Sequence, residues 1–321
     1  MHESIKLRDW YVQNQRPLPW RLNRDPYRIW ISEMMLQQTT VAAVVPYYER
    51  FLKKFPDVKT LQKAPLSQVL EMWAGLGYYS RARNIHKSAQ ILGAKGFPNS
   101  HAELMELPGF GPYTARAVSS LAFGERVGVV DGNVIRVLSR YYGMARPWWN
   151  TAERNLYQQK ADTLVEKEDP SLINQAVMEL GATVCTPQSP ACLLCPLQQN
   201  CVARKTQKIE QLPLKKPKKN SEVWVWDAQV HLRGKEIGLV ENNYLPFLKG
   251  QWIFPGKALQ QAKRPKKYDV KHGITHHEIY VRVIPAKLTT TKKVKWIKTN
   301  ELSQINPSSL LKKVLQSLDL P

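Results

Sequence analysis

The sequence predicts an α+β protein: a large all-helical N-terminal domain that carries a cysteine loop, then a basic linker, then a smaller domain of mixed strands and helices. Three observations carry this. Through residues 1–205 apolar residues recur at helical spacing, and prolines and glycines mark the breaks between runs. All four cysteines fall between positions 185 and 201. Residues 206–221, TQKIEQLPLKKPKKNS, are rich in Lys and Pro with little apolar content and read as a linker, and residues 222–321 then turn to short alternating or β-branched segments.

A chain of 321 residues with 43% hydrophobic content can bury a full core, and two domains are favoured over one. The 47 Lys and Arg against 26 Asp and Glu give a formal charge of +21, which calls for a polyanionic partner, with nucleic acid foremost. An anionic membrane competes, but no apolar run approaches the length of a spanning helix. The opening residues MHESIKLRDWYVQNQ hold no apolar core of a signal peptide. The expectation is a cytoplasmic, nucleoid-associated monomer. Cysteines confined to one short stretch are not the disulfide framework of a secreted fold.

Taken in order, the chain opens with a short helix, Ser4 to Gln13, and the proline-punctuated turn RPLPWR. Next, Ile29, Met34, Leu36, Val41, Val44 and Tyr48 recur at helical spacing and predict two helices broken near Pro46. Glu33 is the odd residue of this run. A carboxylate among mostly uncharged neighbours is desolvated, and its pKa rises toward the working range of a general acid; the competing reading is an ordinary solvated helix face. Residues 56–105 continue as helices with turns at Pro56, Pro65, Gly75-Leu76-Gly77 and Gly93. Within GLGYYSRARN, Tyr78 and Tyr79 alternate with Arg81 and Arg83, a composition suited to neutralising phosphates and entering a base stack.

Residues 106–140 read as helix, tight glycine turn, helix, then a carboxylate. Pro108, Gly109 and Gly111 separate two apolar-periodic runs, and glycines let backbone N–H groups turn toward a phosphate. Pro112 suits the first position of the next helix, whose N-terminus is a ready anion site. Asp131 follows Val129-Val130 and precedes the helical run Val134 to Tyr142, so it stands at a buried helix entrance. Residues 143–184 are helical again, with Trp148 and Trp149 at a turn. The spacing Cys185-x6-Cys192-x2-Cys195-x5-Cys201 offers four thiolates to zinc or to a [4Fe–4S] cluster, although one CxxC with unequal flanks departs from the paired knuckles of zinc ribbons. Pro187, Pro190 and Pro196 make the loop compact and would set Arg204 and Lys205 toward a nucleic-acid backbone. Past the linker, EVWVWDAQVHL, EIGLVEN, HEIYVRVIPAKL and VKWIK read as strands and SSLLKKVLQSL as an amphipathic helix.

LPGFGPYTA followed by VDGN, the run SEMMLQQTTV and the x6-x2-x5 cysteine spacing together resemble the helix-hairpin-helix DNA glycosylases of base excision repair, the superfamily of endonuclease III and the MutY-type adenine glycosylases. The likeness is close over residues 1–205 and looser beyond. It implies that Glu33 and Asp131 are catalytic with Tyr113 and Asn133 beside them, and that Cys185, Cys192, Cys195 and Cys201 hold a [4Fe–4S] cluster. It also implies that Leu18, Trp20, Arg21, Gln38 and Gln175 surround the adenine, and that Tyr78 wedges into DNA beside a damaged guanine. The partner implied is double-stranded DNA containing adenine opposite 8-oxoguanine or guanine.

Base release resembles glycoside hydrolysis: a proton goes to the leaving group while a carboxylate faces the oxocarbenium-like sugar. The nucleotide must first leave the duplex. Lyases of the superfamily place a nucleophilic lysine after the hairpin; this chain has Tyr113 there, and a phenol cannot form an imine, which favours a monofunctional enzyme. A non-catalytic iron–sulfur DNA-binding protein is opposed by the presence of Glu33 and Asp131, and an RNA-binding protein is suggested by charge alone. GQWIFPGKA resembles the strand and turn ahead of the catalytic helix of Nudix hydrolases, but KALQQAKRPKKYD lacks the metal-binding glutamates. The implied second domain is therefore a hydrolytically dead, Nudix-like reader of oxidised guanine. Where the family has a Phe-Ser-His turn for that reading, this chain has Ile274-Thr275-His276.

Overall fold

A computed structural model of the chain describes residues 2–217, 220–285, 294–306 and 308–318. Residues 218–219, near the end of the expected linker, and 286–288, the end of HEIYVRVIPAKL, fall outside the described residues. The chain divides into two compact units, Met1–Lys216 and Pro217–Pro321. Among the described residues no helix is long and apolar enough to cross a membrane.

The first unit begins with α1 (Glu3–Asn14), which turns Leu7 and Tyr11, one turn apart, into the interior. In α2 (Pro26–Leu36) Asp25 caps the start by accepting from Tyr27 N at 2.9 Å, and Pro26 fills the first position. α3 (Val41–Lys54) starts at Thr40 and contains Pro46. The chain thus breaks at 37–40, not near Pro46. Pro46 and Ala42, whose carbonyl loses its partner to the proline, both face solvent, so water satisfies what the helix cannot.

α4 (Val58–Lys63), α5 (Leu66–Met72) and α6 (Ser80–Lys95) follow. Gly93 lies inside α6, and the turn comes instead at Gly96, at φ 80°. Next come α7 (His101–Leu104), α8 (Pro112–Phe123), α9 (Gly132–Tyr142), α10 (Thr151–Val165), α11 (Pro170–Thr183) and, after the cysteine loop, α12 (Val202–Lys205). Two apolar cores result. Trp30, Phe51, Trp73, Ile85 and Val118 centre one; Leu7, Tyr11, Val134, Leu138, Tyr157 and Leu180 centre the other, and Met178 packs against both. Each fully buried large side chain contributes about 1.5–3 kcal/mol, so either core alone is ample to hold its helices.

The second unit holds two sheets. β1 (Glu222–Val230), β2 (Leu232–Arg233), β3 (Glu236–Glu241), β4 (Trp252–Ile253), β5 (Gly256–Gln261), β6 (Val270–Ile274), β7 (His277–Pro285) and β8 (Val294–Lys298) precede α13 (Leu302–Ile305) and α14 (Ser309–Gln316). One sheet runs β5-β1-β7-β6 with β1 and β7 parallel; the other joins β2, β3 and β4, with β8 on β3. Trp226, Ala228 and Val230 alternate inward along β1 against Phe254, Ile279 and Leu311. The segment KALQQAKRPKKYD departs from the Nudix pattern in structure as well as composition. It enters as β5 and forms no helix through 262–269, where Pro265 and neighbouring like charges oppose one. Gly256 permits the close crossing: a Cβ there would stand 1.9 Å from Asp227 O.

Candidate active site

Between the two cores of the first unit lies a cavity of about 820 Å³. Leu18, Trp20, Arg21, Glu33, Gln38, Tyr113, Asp131, Asn133 and Gln175 all line it, so residues spread over more than 150 positions converge on one space.

Glu33 stands on the inward face of α2, where every residue from Ile29 to Met35 is buried, and is itself only 5% exposed. Loss of hydration pushes its pKa up to about 7; the Tyr113 hydrogen bond opposes the rise, the Asp131 charge adds to it and Arg21 tempers it. The Tyr113 hydroxyl donates to Glu33 Oε2 at 2.6 Å. Burial and the two carboxylates drive the phenol's pKa well above its usual value, so Tyr113 stays a donor.

Asp131 is the N-cap of α9. Its Oδ1 accepts from Val134 N at 2.7 Å and its Oδ2 from Asn133 Nδ2 at 3.1 Å. Burial raises its pKa, while these bonds and the charge of Arg136 pull the other way. Arg136 also donates to Asn133 Oδ1 at 2.7 Å, which fixes the amide with its NH₂ toward Asp131. The approach to Asp131 is fastened by Asn174 of α11, which accepts from Val129 N at 2.9 Å and donates to Val127 O at 2.9 Å. Two carboxylates thus share a cavity in different surroundings: Glu33 poised to hold a proton, Asp131 supplied with donors that favour the anion.

Glu179 completes the cavity wall. Its side chain has no exposure, yet its pKa sits at about 2: burial alone would raise it, and the bonds from Arg16 and Arg21 overcome that. Arg21 Nη2 donates to it at 2.8 Å and Arg16 Nε at 2.7 Å. Tyr11 donates to Gln175 Oε1 at 3.1 Å. Only one signal for Glu179 exists in the sequence: an acid inside the apolar run INQAVMELGATVC, the same sign that marks Glu33.

The hairpin from Pro108 to Gly111 connects α7 to α8. Gly109 has φ 82°, and a Cβ there would come 2.6 Å from Asn84 Cβ; Ser88 donates to Pro108 O at 2.7 Å. Gly111 differs. At φ −85° it needs no special freedom, and no atom lies within 4 Å of where its Cβ would be, so it leaves the start of α8 uncovered. Tyr78 is 52% exposed and held at φ 48°. Arg83 is partly exposed. Arg81 corrects the sequence reading: it is buried and spends its guanidinium on backbone carbonyls, donating to Met34 O at 2.7 Å, Gln37 O at 2.6 Å and Leu76 O at 3.3 Å. It braces the C-terminal end of α2 and the 75–77 turn and is not available to a phosphate.

Cys185, Cys192, Cys195 and Cys201 are free thiols in one loop, and burial pushes Cys195 up to about 11 with the other three nearby adding to the rise. A single tetrahedral zinc would draw its sulfurs to about 3.8 Å from one another. Among the described residues no three of the thiols lie within even 4.8 Å of each other. Four thiols in one loop are the donor set that a metal centre needs. Arg140 encloses it, donating to Cys185 Sγ at 3.4 Å and Thr186 O at 2.7 Å. Arg136 donates to Cys185 O at 2.7 Å, so α9 ties this loop to Asp131. In the second unit, Thr275 and His276 form the turn between β6 and β7, with Thr275 at φ 55°.

Residues 31–165 match the HhH-GPD superfamily of base excision DNA repair proteins. The chain is 42% identical over 316 residues to an adenine DNA glycosylase of Buchnera aphidicola subsp. Baizongia pistaciae, covering 92% of this chain and 86% of that one. It is 44% identical over 218 residues to the human adenine DNA glycosylase, which covers 64% of this chain and 40% of the human protein. Among solved structures, a thermostable thymine-DNA glycosylase aligns at TM-score 0.58 and 30% identity, over 64% of this chain and 95% of its own. Endonuclease III trapped in a covalent DNA intermediate aligns at TM-score 0.53 and 28% identity, over 64% of this chain and 94% of its own.

Proposed function

The chain belongs to the adenine DNA glycosylases of base excision repair, and we propose that it releases adenine by acid-assisted hydrolysis, with Glu33 as proton donor and Asp131 as the anion facing the sugar. The observation that carries this is the Tyr113–Glu33–Asp131 arrangement in one cavity. At a pKa of about 7, Glu33 is populated both as acid and as conjugate base near neutrality. The flipped adenine enters the cavity, takes the Glu33 proton and departs as the glycosidic bond breaks. Asp131 stabilises the cationic sugar until water adds to it, and the water's proton returns to the Glu33 carboxylate that Tyr113 supports. Tyr113 offers no amine for an imine, so the enzyme is monofunctional.

The preferred target is adenine opposite 8-oxoguanine, with adenine opposite guanine as the second substrate. Thr275 and His276 supply polar groups for reading the oxidised base, and Tyr78, exposed on a backbone that projects it, supplies the wedge. The hairpin amides and the start of α8 take the phosphates. Four cysteines at this spacing support a [4Fe–4S] cluster whose part is structural, holding the loop that α9 braces. We place the enzyme as a monomer in the cytoplasm, with the chromosome.

Single-turnover rates on duplexes carrying adenine opposite 8-oxoguanine, guanine and thymine test the whole reading. Release should be fastest opposite 8-oxoguanine, and Glu33→Gln should lose ~10² to 10⁴ in rate while still binding duplex. Wild-type rates in Glu33→Gln would remove Glu33 from the chemistry; equal rates on all three duplexes would remove lesion reading. Borohydride should trap no covalent adduct, and anaerobically isolated protein should carry iron in place of zinc.

A further inference from the structure

Glu222 opens β1 and His277 opens β7, and the parallel pairing of the two strands sets them side by side. His276 is the second residue of the β6–β7 turn, and its carbonyl accepts from Glu222 N at 2.8 Å, which fixes the corner. Donor atoms of all three side chains lie within 4.8 Å of one another. Glu222 Oε1 is 3.5 Å from His276 Nε2 and Oε2 is 3.4 Å from His277 Nε2. Charge-assisted hydrogen bonds run shorter, at about 2.7–2.9 Å. An ion with bonds of about 2.0–2.2 Å to imidazole nitrogen and carboxylate oxygen places its tetrahedral ligands about 3.3–3.6 Å apart, and each imidazole here stands at 3.4–3.5 Å from its own oxygen of the Glu222 carboxylate.

Neighbouring hydrogen-bonding groups hold Glu222 and His276 in place. The Thr275 hydroxyl has one proton and gives it to Ile274 O at 2.7 Å, so toward His276 Nδ1, 3.4 Å away, it can only accept. The other ring nitrogen, Nε2, faces Glu222 Oε1. Trp224 Nε1 donates to Glu222 Oε2 at 3.0 Å, which orients the carboxylate and, as the largest influence, holds its pKa below the usual value. A carboxylate and two imidazoles converge where a cation is needed. All three remain partly accessible, so an ion can enter.

We propose that Glu222, His276 and His277 bind one divalent first-row transition-metal ion, with the remaining coordination positions left to water. Two imidazoles and one carboxylate suit Zn²⁺, Ni²⁺ and Cu²⁺, with Cu²⁺ tightest. The site shares His276 with the lesion-reading turn but stands on the geometry of the three ligands alone. An ion there withdraws His276 Nε2 from other partners.

Tag-free, full-length protein freed of adventitious metal is titrated with Ni²⁺ by calorimetry, with tryptophan emission followed in parallel. Wild type should bind one equivalent more than Glu222→Gln, or bind that equivalent at least tenfold tighter, and Ni²⁺ should quench emission from Trp224 in wild type alone. His277→Gln should behave as Glu222→Gln does. Glu222→Gln preserves volume at a half-exposed position, so it decides the matter even where His277→Gln fails to fold. Equal Ni²⁺ stoichiometry and affinity in wild type and Glu222→Gln overturns the site and leaves the three side chains as an ion-pair cluster.

Discussion

In the proposed mechanism Glu33 carries the chemistry, in the fold it carries a stability cost, and the two share one titration. Its pKa rises from 4.5 in an ordinary setting to about 7 in the fold. The folded state therefore binds the proton more tightly than the unfolded chain does, and its favourable contribution is complete below pH 4.5 and lost as pH rises through 7. Above that, a buried charge costs on the order of 3 kcal/mol. Glu33→Gln should accordingly be more stable than wild type at pH 8 and about equal at pH 4, read from urea midpoints; a variant less stable at pH 8 would contradict the desolvated carboxyl. Base release by wild type should fall over the same range, as the acid form is depleted. Glu33 stood out because an acid interrupts an apolar run, but the run alone also allowed a solvated helix face, and the resemblance of SEMMLQQTTV decided between them. Glu179, in a similar run, gave less away, because its partners Arg16 and Arg21 lie 163 and 158 residues distant. Arg81 misleads for the opposite reason. Its neighbours in sequence are basic and aromatic, but the carbonyls it satisfies belong to helix ends and turns, which periodicity does not display.

At the scale of elements, composition located most helices and the hairpin, and the errors fell at breaks. The end of α2 comes at 37–40 because Gln38 adopts φ 59°, a local conformation that no proline or glycine announces. In the second unit β5 and β6 went unforeseen, since KALQQ and VKHGI lack the alternation of strands, KALQQ has no β-branched residue, and both are held by pairing with β1 and β7. The hairpin glycines, alike in sequence, separate in structure. Gly109→Ala must place a methyl against Asn84 on a left-handed backbone, which costs ~1–3 kcal/mol and displaces the amides proposed to meet phosphate. Gly111→Ala meets nothing. Urea midpoints and duplex affinity of the two variants should therefore differ, with Gly109→Ala the weaker in both; equal effects would show that the turn does not require its backbone conformation.

For the whole molecule, the division after Lys216 is also, in the proposed function, a division between two jobs. Glu33, Tyr113, Asp131, Asn133, the four cysteines and two apolar cores all lie in the first unit. The charge that the sequence made plain supplies affinity for any duplex and falls with salt, but it carries no preference for a damaged base. Such preference has to come from polar groups left unpaired against the wrong base, and Thr275 and His276 stand in the second unit. Two bonds of ~0.5–1.5 kcal/mol each amount to roughly tenfold to a hundredfold in selectivity. A chain ending at Lys216 should therefore keep adenine release opposite guanine while losing about that much of its preference for 8-oxoguanine, and Thr275→Ala with His276→Ala in the full chain should lose a similar amount. Single-turnover rates on the two mispairs, at matched salt, read both. Full discrimination in the truncated chain would move lesion reading into the first unit, toward Tyr78 and Gln38. A truncated chain that folds but releases no adenine would show instead that the cavity depends on the second unit for its working geometry.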